Sequence, residues 1–133
     1  MLGTIWPLQA QPQGDKHERI QAARVTFLTE KMQLTPEQAQ KFWPVYNEFH
    51  KKRRDLKRKA RVFKGQDLDK LTDAQLREGI KEMMDGKTKE AELEKSYSEK
   101  FLTVISPKQL ATMYRAEKEF MKMLIKRLDE NKK

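Results

Sequence analysis

Three short segments of one form, [Leu/Ile]-[Ser/Thr]-x-x-Gln, constrain this chain most: Leu34 to Gln38, Leu71 to Gln75 and Ile105 to Gln109. In each, a hydroxyl residue (Thr35, Thr72, Ser106) can accept from the free backbone donors at a helix start. The Gln three positions on (Gln38, Gln75, Gln109) can reach back to the cap residue's own amide. Pro36 and Pro107 stand at the first helical position, where a missing N–H is no loss. With one helix ahead of them, three such starts predict four helices. Only five of the 133 residues are glycine. Sandwiches and barrels need turn residues every ~8–12 positions, so turn-dense β architecture is excluded.

Apolar spacing fills in the helices. Ile20, Ala23, Phe27, Leu28 and Met32 form a narrow stripe on a first helix from about Lys16 to Met32. Phe42, Tyr46, Phe49, Leu56, Ala60 and Phe63 carry a second from Pro36 to about Phe63, on the order of 42 Å long at 1.5 Å per residue. Pro44 inside it should kink it, since it has no donor and crowds the carbonyl of Gln40. Gly65-Gln66-Asp67 reads as the break. Leu76, Ile80, Met83, Ala91, Tyr97, Phe101 and Val104 mark the apolar face of a long third helix, with Gly86 a weak point and Lys87 and Glu94 interrupting the stripe. Leu110, Met113, Tyr114, Met121, Leu124 and Leu128 mark a fourth, whose basic end suits the helix dipole.

The core these stripes can build is thin. Leu, Ile, Val and Phe make up 28 of 133 residues, while 37% of the chain is charged, against ~25% in ordinary domains. Thin stripes on long helices fill a closed bundle poorly, and a second copy can bury the remainder. The expected fold is all-α, an open, curved, cradle-like layer with long central helices, as an antiparallel homodimer; a monomeric bundle is the alternative.

Met1 to Gly14 (MLGTIWPLQAQPQG) carries no charge, and charges become dense from Asp15. Leu2, Ile5, Trp6 and Leu8 followed by Leu8-Gln9-Ala10 match the end of a secretory h-region and a small-residue cleavage site, with the basic n-region missing. Residues 1–14 are therefore expected to be a truncated signal-peptide remnant or disordered lead-in, and residues 15–133 a single helical domain. The expected address is the bacterial periplasm.

The order of a long basic second helix, a break, a long third helix and then "TVISPKQLATMYRAEKEFMKMLIKRL" resembles the LTxxQ family of small all-helical periplasmic proteins, typified by Spy and CpxP. Thr35–Gln38 and Ser106–Gln109 match the family's two motifs, with Ile105 and Ser106 departing from Leu and Thr. Thr72–Gln75 is then an additional cap. "LTPEQAQKFWPVYNEFHKKRRDL" is similar to a Bacteroidetes-type branch. The resemblance covers about Lys16 to Leu128. It implies an antiparallel, cradle-shaped dimer that acts in envelope stress, either as an ATP-independent chaperone or as a regulatory sensor.

The chemistry of the residues bears on that choice. Lys51, Lys52, Arg53, Arg54, Lys57, Arg58, Lys59 and Arg61 place eight cations in eleven residues, with Asp55 the lone acid among them. On helix two they flank the Leu56–Ala60–Phe63 stripe. Long cationic stems beside apolar atoms can hold an unfolded or acidic chain by charge and then by contact, with no pocket. A solvated, solubilising face is the plainer reading. Phosphate tracking is a third, but no aromatics interleave the cluster to stack bases, so no nucleic acid is expected. Met84 and Met123 are the candidates for adaptable exposed contacts; Met83, Met113 and Met121 are expected to fill core.

Catalysis has little to work with. The chain has no Cys and two histidines, His17 and His50, in separate helices. Neither Glu-x-x-His, nor a Gly-rich phosphate loop, nor a Gly-x-Ser-x-Gly elbow occurs. No enzyme activity, catalytic residue, metal ligand, cofactor or small-molecule substrate is expected. The expected function is chaperone-like holding of unfolded or partly folded proteins on the basic surface. The alternatives are a stress or metal sensor acting on a membrane-bound signalling partner, such as a sensor kinase or an anti-sigma factor, and, below that, a basic nucleic-acid-binding protein.

Overall fold

Capping chemistry sets the element boundaries in the computed structural model, which describes residues 12–132. Four α-helices and one 3-10 turn occur in the order α1 (Pro12–Met32), α2 (Pro36–Lys59), η1 (Leu68–Lys70), α3 (Asp73–Leu102) and α4 (Pro107–Asn131). No strand is present among the described residues; the chain is all-helical. Most of the leader-like segment, residues 1–11, lies outside the described residues. Helix α1 begins four residues before the expected Lys16.

The first two caps form as the sequence requires. Thr35 Oγ1 accepts from the Gln38 amide at 3.1 Å, and Gln38 Oε1 accepts from the Thr35 amide at 3.2 Å. Thr72 and Gln75 repeat this at 3.1 and 2.9 Å. At the third start the Gln side chain reaches a different helix. Gln109 Nε2 donates to the Met32 carbonyl at 3.2 Å, at the end of α1. That end is closed by Gln33, whose φ of +53° is left-handed without being glycine. Its amide donates to Glu30 O and the Leu34 amide to Thr29 O, at 3.3 and 3.2 Å, the paired bonds of a Schellman ending.

Helix α2 stops at Lys59, short of the expected Phe63, which leaves it about 36 Å long at 1.5 Å per residue. It runs on through Pro44. The ladder tightens after it, with the Arg61 amide on Arg58 O, and the chain reverses at Gly65, φ +77°. Asp67 then caps η1 by accepting from the Asp69 amide at 3.1 Å, a local turn that apolar periodicity does not register.

The chain divides into two compact units, Thr35–Pro107 and the remainder up to Leu34 with Lys108 onward. The first is an antiparallel hairpin of α2 and α3. Phe42, Tyr46, Phe49, Tyr97, Phe101 and Ile105 are buried in it. Phe42 lies 5.4 Å from Phe101, Phe49 5.2 Å from Tyr97, and Phe49 meets Phe101 edge-on at 5.7 Å, spacings at which aromatic pairs attract. Trp43, half-buried, sits edge-on to Phe42 and Tyr46.

Toward the Gly65 turn the helices approach through glycine. A Cβ on Gly79 would stand 2.5 Å from the Phe63 ring, and one on Gly86 would stand 2.9 Å from the Ala60 Cβ. Gly86 is therefore a contact point, and the expected weak point is corrected. The apolar face of α3 shifts accordingly: Ile80 and Ala91 are exposed, while Gly79 is buried and Gly86 and Leu93 are half-buried. A stripe counted from large side chains misses the positions where their absence lets a neighbour in.

In the second unit α1 packs antiparallel on α4. Leu28, Met32, Leu110, Met113, Ala116 and Phe120 are buried, and Phe27 lies 5.8 Å from Phe120. The Arg24 guanidinium covers the Phe120 ring at 5.2 Å, and Lys31 reaches Glu119 at 3.7 Å. Burial ends at Phe120. Met121, expected in the core, is 46% exposed, and Met123, Ile125 and Leu128 are also exposed.

Candidate functional site

The eight cations of residues 51–61 do not form one surface. A helix repeats every 3.6 residues, so a dense charge run must wrap around it, and α3 meets one side of that run. Arg53 lies on that side. Its guanidinium stands 4.7 Å over the Phe49 ring and 3.7 Å from Glu94 Oε1, with the side chain only 17% exposed. Lys57 meets Glu90 at 3.4 Å. Lys52 bonds Glu48 at 3.3 Å within α2 and lies over the Tyr97 ring, which Lys100 approaches from α3 at 4.4 Å.

Tyr97 completes this inner group. Its ring is buried and its hydroxyl donates to Glu48 Oε1. That hydrogen bond first, and the Lys52 ammonium second, hold the Glu48 carboxyl below the usual glutamate range. Tyr97 and Glu48 together raise Lys52 in turn. The inner cations Lys52, Arg53 and Lys57 thus have fixed acidic partners in Glu48, Glu94 and Glu90. Arg53 is also packed over the Phe49 ring, whereas Lys52 and Lys57 pair at the surface with their side chains more than half exposed.

The outer group differs. Lys51, Arg54, Lys59 and Arg61 are exposed and form no ion pair among the described residues. Arg58 joins them, tied only to Asp55 one turn back at 3.1 Å. Lys51, Arg54, Arg58 and Arg61 follow one another at intervals of three, four and three. They make a single row along the side of α2 turned from α3, with Arg61 just past the helix end. The Leu56–Ala60–Phe63 stripe that the cluster was expected to flank is half-buried, with Ala60 and Phe63 set against the two glycines of α3. The cationic row therefore stands without that stripe as its apolar companion.

Exposed apolar atoms occur elsewhere, on the end of α4 at Met121, Met123, Ile125 and Leu128, and on α3 at Ile80 and Met84. Of the methionines expected to make adaptable contacts, Met84 and Met123 are 47% and 54% exposed. Ile125 was not among the residues expected on this surface. A signal for it was present: apolar residues run out in α1 before Ile20 while they continue in α4 to Leu128.

Among the described residues no group of three or more His, Asp or Glu side chains could hold a metal ion, and no helix is long and apolar enough to cross a membrane. His50 stacks on Tyr46 at 5.7 Å and contacts Arg53 through Nδ1, a packing role. Compared with protein-family models, curated proteins and solved structures, the chain matches none.

Proposed function

We propose that this protein holds unfolded or partly folded chains without ATP, as a chaperone-like component of a bacterial periplasm under envelope stress. The observation that carries the reading is the row Lys51, Arg54, Arg58 and Arg61, whose cations are solvent-facing while their neighbours Lys52, Arg53 and Lys57 are consumed by acids of the hairpin. Lys51, Arg54 and Arg61, which have no ion pair among the described residues, attract a flexible acidic segment over about a Debye length, ~10 Å at 0.1 M salt, without requiring one geometry. Exposed Ile80 and Met84, on α3 of the same hairpin, offer apolar footholds for a chain drawn in this way. The resemblance to the LTxxQ family supports the periplasmic address and the curved, antiparallel dimer that goes with it.

The test is suppression of aggregation of an unrelated denatured protein, at stoichiometric ratio and without nucleotide. Protection is expected to fall as salt rises. It is also expected to fall at least five-fold when Lys51, Arg54 and Arg61 are changed to Glu, with helicity by circular dichroism retained. If no unrelated client is protected at any ratio, the holding function is wrong. Capture of one folded acidic partner by the same row would then favour a sensor that restrains a membrane-bound signalling protein. Export is tested separately, by fractionating cells that express the gene from its genomic start.

A further inference from the structure

The end of α4 combines an exposed apolar face with a row of exposed lysines. Met121, Leu124, Ile125 and Leu128 recur at intervals of three, one and three, one face of a helix. Met121, Ile125 and Leu128 on that face are 46%, 54% and 38% exposed, and Leu124 is half-buried. Along one margin run Lys118, Lys122 and Lys126, at intervals of four, without ion pairs among the described residues. Asp129 lies on the same margin and Glu130 next to it, around the shallow groove that Lys122, Ile125 and Lys126 also line. Glu119, on the same helix, is drawn off toward Lys31 of α1. The margin keeps a cationic excess.

What covers such a face follows from its size and its edge. Four side chains that are about half exposed make a patch near the low end of ~300–600 Å², well short of the ~800 Å² per partner of a stable protein interface. A second copy laid across it would also bring rows of lysine together. A bilayer surface needs neither area nor a shaped partner. A helix lying in the headgroup plane sinks its apolar face a few ångströms, and lysines at the margin extend their stems and reach lipid phosphates. Phe120, buried against Phe27 of α1, ends the buried part of α4, so the exposed segment beyond it can lie on a membrane with that contact intact.

We infer that the end of α4, Met121 to Leu128 with Lys118, Lys122 and Lys126 at its margin, docks on the surface of an anionic phospholipid bilayer. This goes beyond client holding and uses a different unit of the chain, so either can fail alone. It would place the protein on the membrane face of its compartment.

The chain has no cysteine, so Ile125→Cys gives a single site for an environment-sensitive fluorophore; Arg54→Cys is the control on the cationic row of α2. With vesicles of phosphatidylcholine containing 30% phosphatidylglycerol (about one lipid in three anionic, in the regime where basic segments are attracted), the label at 125 is expected to shift to the blue. The label at 54 should stay water-like, and vesicles of phosphatidylcholine alone should shift neither. Replacing Lys118, Lys122 and Lys126 by Gln should weaken the shift at 125 about ten-fold in lipid concentration. No shift at 125 on anionic vesicles overturns the inference. So does a shift at 54 without one at 125, or a shift at 125 that appears without lipid as protein concentration rises, which would assign the face to a second copy.

Discussion

The α2–α3 hairpin and the α1–α4 pair are antiparallel helix pairs of similar length, yet they use their apolar residues differently. The hairpin fills its contact with tilted and edge-on aromatics and, where these end, seats the Phe63 ring on Gly79 and brings Ala60 close to Gly86. The α1–α4 pair fills only the half between Leu28 and Phe120 and leaves Met121, Ile125 and Leu128 in water. The difference shows how a charge-rich chain divides a small supply of core residues. The hairpin carries a continuous buried aromatic core and leaves Ile80 and Met84 exposed beside it; the α1–α4 pair has no buried side chain beyond Phe120 among the described residues.

The comparison can be broken most directly at the cores. Phe101→Ala, which removes a fully buried ring facing Phe42 and Phe49, should cost about 3–5 kcal/mol in urea denaturation. Ile125→Ala, at a side chain 54% exposed, should stay within about 0.5 kcal/mol. Equal losses would mean that the α4 end is as closed as the hairpin.

A sharper probe is the sign at glycine. In an open helix Gly→Ala gains up to ~1 kcal/mol. Gly86→Ala should instead destabilise by about 1–3 kcal/mol, because its methyl would meet the Ala60 Cβ at 2.9 Å and the backbones would have to part. A rise in Tm would show that the hairpin does not close there.

The inner cations allow a comparable test within the cluster. Arg53→Glu sets an anion beside Glu94 and strips the cover from Phe49, and should cost about 1–2 kcal/mol, whereas Arg54→Glu should be near neutral, as surface changes usually are. Thermal melts of the two variants decide it.

Smaller again is the acid side of the hairpin. Glu48 is lowered in the fold, so its ionised form favours folding. That contribution is complete above the ordinary glutamate value of ~4.3 and is lost as pH falls through the lower folded value. Tyr97→Phe removes the main cause, and should make the urea midpoint fall less between pH 6 and pH 3 than in the parent. An unchanged pH profile would mean that the hydroxyl does not hold the carboxylate.

The least effect is expected at the end of α1. Gln33→Gly relieves a left-handed backbone at an exposed position. It should gain about 0.5–1 kcal/mol, less than the 1–2 kcal/mol of the left-handed penalty because glycine loses more chain entropy. Hydrogen exchange at Leu28 to Met32 would register it in the α1–α4 unit alone.

Much of this was legible in the chain itself, because helix starts are local. The hydroxyl and Gln of each cap act across three residues, and Thr35–Gln38 and Thr72–Gln75 form the bonds their spacing requires. The aromatic stripe Phe42–Tyr46–Phe49 and its partners Tyr97 and Phe101 were likewise legible, since large apolar groups at helical intervals have one way to leave water. The partition of the basic run was not. Whether a cation at 53 or at 54 faces an acid depends on Glu94, some forty residues away, and on how closely α3 approaches. That approach is decided by two missing side chains, Gly79 and Gly86, which no count of apolar residues reveals. Local caps set where the helices start; depth of contact set which charges and which methionines remain in water.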